Sequence, residues 1–284
     1  MATFLGFNAI LLWSLLALLT AASGTMPPFQ LSAITFAIGT LVGLAALIRM
    51  GTSLAVFRQP LPVWLLGIGG LFGYHFFYYT ALRNAPPIEA GLIAYLWPLL
   101  IVVFSALLPG ERLRWFHVAG AAMGLIGTIV LVTRGGGFSF DPRYLPGYGA
   151  SLVCALTWSS YSLLSRRYAA VPTDLVTAFC AATAALSLAC HLALEQTVWP
   201  ETGGQWLAIV GLGLGPVGAA FYLWDIGMKK GRIQVLGACS YAAPLLSTLI
   251  LIAAGFGEPT WRVGLACLLI TGGALLASKE LFSK

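Results

Sequence analysis

A run of 19 residues without Asp, Glu, Lys or Arg occupies positions 90–108 and reads AGLIAYLWPLLIVVFSALL. Its length matches the roughly 20 apolar residues that a helix needs to cross a bilayer. Searching the rest of the chain for runs of this kind gives ten in all. They are residues 4–22, 29–48, 61–82, 90–108, 115–133, 146–165, 175–194, 205–224, 233–254 and 263–278. All 15 Lys and Arg residues and all nine Asp and Glu residues fall outside these runs, which predicts ten transmembrane helices.

The composition of the 284 residues excludes a water-soluble globule. Hydrophobic residues make up 59% of the chain, charged residues only 8%, and the mean hydropathy is +0.91. Soluble domains are about 25% charged. Strands of a membrane β-barrel would alternate polar and apolar residues, whereas these runs are apolar throughout. The sequence therefore predicts an all-α integral membrane protein, and connections of at most 12 residues leave no room for a further domain.

Basic residues are distributed unevenly between the two predicted faces. Ten spans place both termini on one face, which carries 11 Lys and Arg residues against four on the other. Those four are Arg83, Arg134, Arg143 and Arg262. Because basic residues accumulate in cytoplasmic loops, we expect both termini in the cytoplasm. This orientation accounts for the net charge of +6 without a nucleic-acid partner.

The two halves of the chain repeat each other at an offset of about 145 residues. The coincidences are Trp13-Ser14 with Trp158-Ser159, Pro27 with Pro172, residues 95–100 with 241–246, and Gly110-Glu111 with Gly257-Glu258. They predict two five-helix domains, residues 1–140 and 141–284. Since five is odd, the second domain is inverted relative to the first, an arrangement typical of secondary transporters. We expect the two inverted repeats to surround a central cavity.

The repeated residues also resemble a known family. A Trp-Ser pair in the first helix of each half, a proline in the fourth and Gly-Glu after it are similar to the EamA-type drug/metabolite transporter superfamily. Within it, Phe76-Phe77-Tyr78-Tyr79 and Tyr95-Leu96-Trp97-Pro98 resemble the YddG-type bacterial exporters of aromatic amino acids. The resemblance implies a carrier in the cell inner membrane. It would export aromatic and other neutral or polar amino acids from cytoplasm to periplasm by alternating access, with broad specificity.

Candidate substrate-binding residues lie where polar or aromatic side chains occur in the middle of a span. We expect a cavity between spans 1, 3, 4, 6, 8 and 9. The candidates are Trp13, His75, Tyr78, Tyr79, Tyr95, Trp158, Ser162, Tyr222 and Tyr241. An ionisable group within a membrane usually faces a pathway, although His75 is equally well explained as a neutral imidazole bonded to another helix. Core packing is nearly as well supported for Trp97.

Two prolines are candidate hinges. Pro98 is the ninth of 19 residues in its span and Pro244 the twelfth of 22. Each removes a backbone hydrogen bond near the bilayer centre, and lipid cannot satisfy the carbonyl that this frees. The partner of this carbonyl must lie in a binding cavity or, if the proline only makes a packing kink, on a neighbouring helix.

The remaining tryptophans are predicted to be interface anchors or loop residues. Trp64, Trp115, Trp206, Trp224 and Trp261 lie at span ends, where amphipathic rings favour the membrane surface. Asp225 and Lys229, four residues apart, are expected to form an ion pair at a helix end.

The sequence contains no pattern for catalysis, a cofactor or a metal. Its five cysteines lie within spans without a C-x-x-C pair, and they are expected to pack as small apolar residues. We therefore expect no enzyme activity, no cofactor and no metal; the partners are a small-molecule substrate and the lipid bilayer. Efflux of drugs or other small metabolites, and a membrane scaffold or sensor that transports nothing, remain alternatives. Oligomeric state and energy coupling stay open.

Overall fold

The fold is known from a computed structural model that describes residues 1–133, 141–255 and 258–279. All the regular secondary structure in these residues is helical, with no β-strand. The long helices are α1 (Ala2–Ala22), α2 (Pro28–Met50), α3 (Leu61–Asn84), α4 (Pro87–Leu107), α5 (Trp115–Thr133), α6 (Leu145–Ser165), α7 (Thr173–Leu194), α8 (Gly203–Lys230), α9 (Ile233–Ala253) and α10 (Trp261–Ala277). Arg134, Gly257 and the predicted domain boundary at residue 140 lie outside the described residues.

Eight of these helices are long and apolar enough to cross a membrane. The other two are α6 and α10. Helix α10 is apolar but has only 17 residues. Helix α6 has 21 residues, and its five serines and one threonine make it less apolar than the others. All ten helices coincide in position with the predicted runs, but the structure supports a crossing by length and composition only for eight.

The end of α8 corrects one expectation. The run without charges stops at residue 224, but the helix continues to Lys230. Asp225 and Lys229 form the expected ion pair at 2.8 Å, and both side chains are almost fully buried. Trp224 consequently lies inside the protein with 0% of its surface exposed. Its interpretation as an interface anchor is wrong, because the pairing of Asp225 lets the helix continue beyond its first charge.

Three of the helices are interrupted near their centres. Helix α1 is broken at Ser14–Leu15, α4 at Tyr95–Leu96 and α9 at Ser240–Tyr241. In α4 and α9 the interruption precedes Pro98 and Pro244, which lack the N–H that would bond to the carbonyl four residues earlier.

Two other helices contain a π-helical turn. These turns span Gly69–Gly73 in α3 and Gly215–Ala219 in α8. Such turns occur frequently at functional sites, and both lie at the middle of their helices.

Four of the five uninterrupted helices pack in pairs. Helix α2 packs along α7, and α5 packs along α10. Between α5 and α10 the backbones approach so closely that a Cβ atom added to Gly120 would lie 2.4 Å from the carbonyl oxygen of Gly273. Small residues permit this close approach between membrane helices. The interrupted helices α1, α3, α4, α8 and α9, together with α6, surround the site described next.

Candidate substrate-binding site

A cavity of about 90 Å³ lies among the central segments of six helices. The helices are α1, α3, α4, α6, α8 and α9, the six predicted from the sequence to surround it. The lining consists of Trp13, Leu16, Tyr74, His75, Tyr95, Trp97, Trp158, Pro216, Val217, Phe221 and Ala243. Most of these side chains are aromatic or aliphatic, and none carries a permanent charge. The cavity can therefore offer ring faces, indole N–H groups and one imidazole to a ligand.

Four tryptophans form one cluster against this cavity. Trp13, Trp97, Trp158 and Trp224 are in mutual contact, with ring centroids between 5.0 and 6.4 Å apart. Most pairs meet edge to face or at a tilt, the arrangements that aromatic rings prefer. We call these four residues the tryptophan cluster.

The indole N–H groups of the cluster differ in their partners. Trp13 Nε1 donates to the carbonyl of Pro216 in the π turn of α8, at 3.1 Å. Trp224 Nε1 donates to Ser162 Oγ at 3.0 Å. Trp97 and Trp158 line the cavity, and their indole N–H groups have no hydrogen-bond partner in the part of the chain that the structure describes. Two donors are thus available to a ligand.

Helix α3 contributes an aromatic face beside the cluster. His75 Nδ1 lies 2.7 Å from the carbonyl of Leu71. A carbonyl only accepts, so we assign the proton to Nδ1, which leaves Nε2 as an acceptor in the neutral ring. The His75 ring is edge-on to Phe36 and to Phe221. His75 therefore lines the cavity, as one interpretation expects, whereas its hydrogen bond runs within α3 and not to another helix as the other expects.

The tyrosines of α3 point in different directions. Tyr74 lines the cavity, and Tyr78 stacks on it one turn further along with centroids 6.0 Å apart. Tyr79 turns to α2, where its hydroxyl lies 2.6 Å from Ser32 Oγ. Of the three, only Tyr74 belongs to the cavity lining, and its position beside the His75 stripe was the signal that could have identified it.

Three further candidates lie behind the lining. Ser162 is fully buried and accepts the hydrogen bond from Trp224. The hydroxyl of Tyr222 donates to Thr177 Oγ1 at 3.1 Å and faces α7. Tyr241 is 0% exposed and packs against Gly124 of α5. Trp13, His75, Tyr95 and Trp158 are the predicted residues that the structure brings together around the cavity.

The two hinge candidates lie level with the cavity. Trp97 and Ala243, the residues immediately before Pro98 and Pro244, are both part of the lining. Each proline lies in the first turn of the second half of its interrupted helix, Pro98 as the second residue and Pro244 as the third. A change in the angle of either break would therefore move a cavity wall.

The cavity is closed on the side of the chain termini. Beyond the tryptophan cluster lie Ile10, Tyr161 and Met228, each exposed by 3% or less. In the other direction Leu16 of the lining is 37% exposed. These three buried residues lie between the cavity and the face of the termini.

Polar side chains join several helices on the side of the termini. Arg166 forms an ion pair with Glu111 at 2.6 Å and donates to the carbonyls of Met228 and Gly231. Gln234 donates to the same Glu111 at 2.9 Å. We call these contacts the terminal-face network. It joins the ends of α4, α6, α8 and α9.

Comparison with known proteins identifies the class of protein. The EamA-like transporter family matches residues 1–133 and again 145–279, which places this helical membrane chain among the membrane transporters. The chain belongs to the EamA-like transporter family. A solved crystal structure with 62% sequence identity superimposes with a TM-score of 0.93 and covers 98% of both chains.

Individual relatives are named exporters. The aromatic amino acid exporter YddG of Ancylobacter novellus is 62% identical over 98% of this chain and 96% of its own length. The aromatic amino acid exporter YddG of Escherichia coli is 26% identical over 97% of this chain and 96% of its own. The pseudopaline exporter CntI of Pseudomonas aeruginosa is 25% identical over 92% of this chain and 87% of its own.

Proposed function

We propose that this protein exports aromatic amino acids, and other neutral or polar ones, from the bacterial cytoplasm across the inner membrane. The proposal is supported by relatives that carry this function in their names, one of them 62% identical along nearly the whole chain. It rests above all on one observation: the cavity combines aromatic walls with two indole donors that lack partners within the described residues.

An aromatic amino acid fits this chemistry group by group. Its carboxylate would accept hydrogen bonds from the N–H groups of Trp97 and Trp158. Its ammonium would lie against the faces of Tyr74 or Tyr95, since ring faces attract cations. Its side chain would pack with Phe221 and the tryptophan cluster. Because no charged side chain lines the cavity, substrates with different side chains would bind weakly and leave readily.

Alternating access would follow from ten spans arranged as two inverted repeats, residues 1–140 and 141–284. The double match to one family, once in each half, supports this arrangement. So do the paired irregularities: a π turn in α3 and in α8, and a break in α4 and in α9. Inverted repeats can exchange conformations and so open a central site to either side.

The excess of basic residues on the face of the termini supports a cytoplasmic location for both ends. In that orientation the closed side of the cavity is cytoplasmic. Alkaline phosphatase fused to either terminus should be inactive in cells, since the enzyme matures only outside the cytoplasm. Activity at either terminus would contradict this orientation.

The function is tested with purified protein in liposomes. Vesicles preloaded with phenylalanine should accumulate labelled phenylalanine by counterflow, and excess tryptophan or threonine should compete. Flux no greater than in empty vesicles would refute amino acid transport and favour a scaffold or sensor. Competition by hydrophobic cations without competition by amino acids would favour drug efflux. Repeating the measurement with and without a pH gradient distinguishes proton coupling from facilitated diffusion.

A further inference from the structure

A second and larger cavity, of about 220 Å³, lies between α4, α5 and α6. Its walls are aliphatic: Leu92 and Leu96 come from α4, and Leu125 and Ile129 come from α5. Polar side chains occur only toward one end, where Glu89 and Tyr148 contribute to the lining. The chemistry is therefore different from that of the central cavity, which is aromatic and contains hydrogen-bond donors.

This cavity lies at the surface of the protein that faces lipid. Ile88 precedes the lining residue Glu89 and is 49% exposed, and Ile126 follows the lining residue Leu125 and is 51% exposed. In a chain that spans the membrane, exposed aliphatic residues of this kind contact hydrocarbon. Leu96 forms part of the wall, and its neighbour Tyr95 lines the central cavity. The lipid-facing cavity thus lies directly outside the break in α4.

The polar end of the cavity carries an acidic group. Glu89 lies in the first turn of α4 and accepts a hydrogen bond from the hydroxyl of Tyr148, which connects α4 to α6. That bond uses Glu89 Oε2, and Oε1 has no hydrogen-bond partner among residues 1–133, 141–255 and 258–279. The carboxylate is partly exposed at the helix end, the level at which lipid headgroups lie.

We propose that this cavity is a phospholipid site: it holds one acyl chain, and Glu89 binds the ammonium of an ethanolamine headgroup. Its location in the membrane rests on the proposed function; the choice of ligand rests on the lining. Water does not fill an apolar cavity, and an amino acid would find no indole donor and no aromatic cluster here. A hydrocarbon chain restores the dispersion contacts that an empty aliphatic cavity lacks, and the carboxylate complements a cationic headgroup.

A lipid in this position would act on transport through α4. The acyl chain would pack against Leu96 on the outer side of the break, while substrate contacts Tyr95 on the inner side. An occupied site therefore supports the wall of the central cavity and resists outward movement of the second half of α4. Ethanolamine lipids should consequently change the turnover rate more than substrate affinity.

Photo-crosslinking tests the site directly. The full-length protein is reconstituted with phosphatidylethanolamine carrying a diazirine in its acyl chain, illuminated and digested. We expect adducts on peptides from α4 and α5 that contain Leu92, Leu96 or Leu125. Leu125→Trp should fill the cavity and remove these adducts, whereas Ile126→Trp, at the exposed neighbouring position, should retain them. Equal adduct yields in the two variants would overturn the proposal.

Two further measurements keep the result decisive. Glu89→Gln should lower the preference for ethanolamine over choline lipids by about two- to fivefold and leave total adducts unchanged, because only the ethanolamine ammonium has N–H groups to donate to the carboxylate. An unchanged preference would remove the headgroup assignment. If Leu125→Trp fails to fold, the distribution of adducts on the unaltered protein decides, since adducts spread evenly over the lipid-facing helices instead of concentrated on α4 and α5 would overturn the proposal. Crosslinks without flux would refute only the transport function, and flux without crosslinks only the lipid site.

Discussion

At the scale of single residues, hydrogen bonds divide the tryptophan cluster into residues that support the structure and residues that can bind a ligand. Trp13 and Trp224 donate within the protein, to Pro216 and to Ser162. The N–H groups of the two remaining indoles have no acceptor within the described residues, and neither nitrogen is fully buried, so both can donate to a ligand. Trp158 is the more informative of these, since it contacts the other three tryptophans and Phe221.

Replacing the indole of Trp158 by a phenyl ring tests its donor role. Trp158→Phe keeps an aromatic wall but removes the N–H. We expect the KM for phenylalanine counterflow to rise roughly tenfold or more, the effect of losing a hydrogen bond to a charged group. Trp199→Phe is the matched control because Trp199 lies in a loop and is 62% exposed. An unchanged KM in Trp158→Phe would show that the carboxylate binds elsewhere.

Ser162 lies behind the cavity lining, and we expect its hydrogen bond with Trp224 to stabilise the folded protein. Ser162→Ala leaves the N–H of Trp224 buried without an acceptor, which should destabilise the protein by about 1–3 kcal/mol. The melting temperature in detergent should fall, and adding Trp224→Phe should recover part of the loss because the orphaned donor is then gone. Ser160→Ala, on the same helix but half-exposed, serves as the control. Additive losses in the double variant would contradict the pairing.

At the scale of the helix, the breaks near Pro98 and Pro244 could be predicted and the one in α1 could not. A proline removes a backbone donor at a known position. Helix α1 is instead interrupted beside Ser14, whose hydroxyl donates to the carbonyl of Leu11 at 2.6 Å. Serine bonds of this kind bend some helices and leave others intact, so the sequence does not decide the outcome. The π turns of α3 and α8 likewise depend on packing rather than on a single residue.

Straightening two helices tests their role in conformational change. Combining Pro98→Ala with Pro244→Ala restores both missing donors and should make α4 and α9 continuous. We expect slower phenylalanine exchange with little change in KM, because the cavity walls would then resist the movement between conformations. Pro87→Ala, at the first residue of α4, is the control and should exchange normally. Normal exchange in the double variant would remove the hinge role from both prolines.

At the scale of the whole molecule, helix positions follow from the sequence and helix rotations do not. The scarcity of charge located all ten helices, and Trp13 and Trp158, both predicted to line a cavity, lie in the lining of the same one. In α8, however, Phe221 lines the cavity while its neighbour Tyr222 faces α7. Adjacent helical residues point about 100° apart. A helix that is apolar on every side carries no pattern that selects its inward face, so Tyr222 and Tyr241 could not be distinguished from lining residues.

The two ends of the molecule are held by separate polar contacts. Opposite the termini, Glu195 pairs with Arg83 at 2.7 Å and accepts from the backbone N–H groups of Phe29 and Gln30, which joins α2, α3 and the end of α7. On the side of the termini, the terminal-face network joins the ends of α4, α6, α8 and α9. Only the second set connects helices that line the closed side of the cavity. If the cavity opens there during transport, Arg166 must release Glu111.

Removing the Arg166 side chain should therefore favour the conformation in which the cavity is open on the side of the termini. Spin labels at Arg112→Cys and Ala169→Cys, in a background without the native cysteines, report the distance between the loops after α4 and after α6. Arg166→Ala should add a population at longer distance, since it deletes one ion pair and two bonds to backbone carbonyls. Arg167→Ala, an exposed neighbour of equal charge, should not. Identical distance distributions in the two variants would mean that helix packing alone closes this side, and that the terminal-face network does not hold the gate.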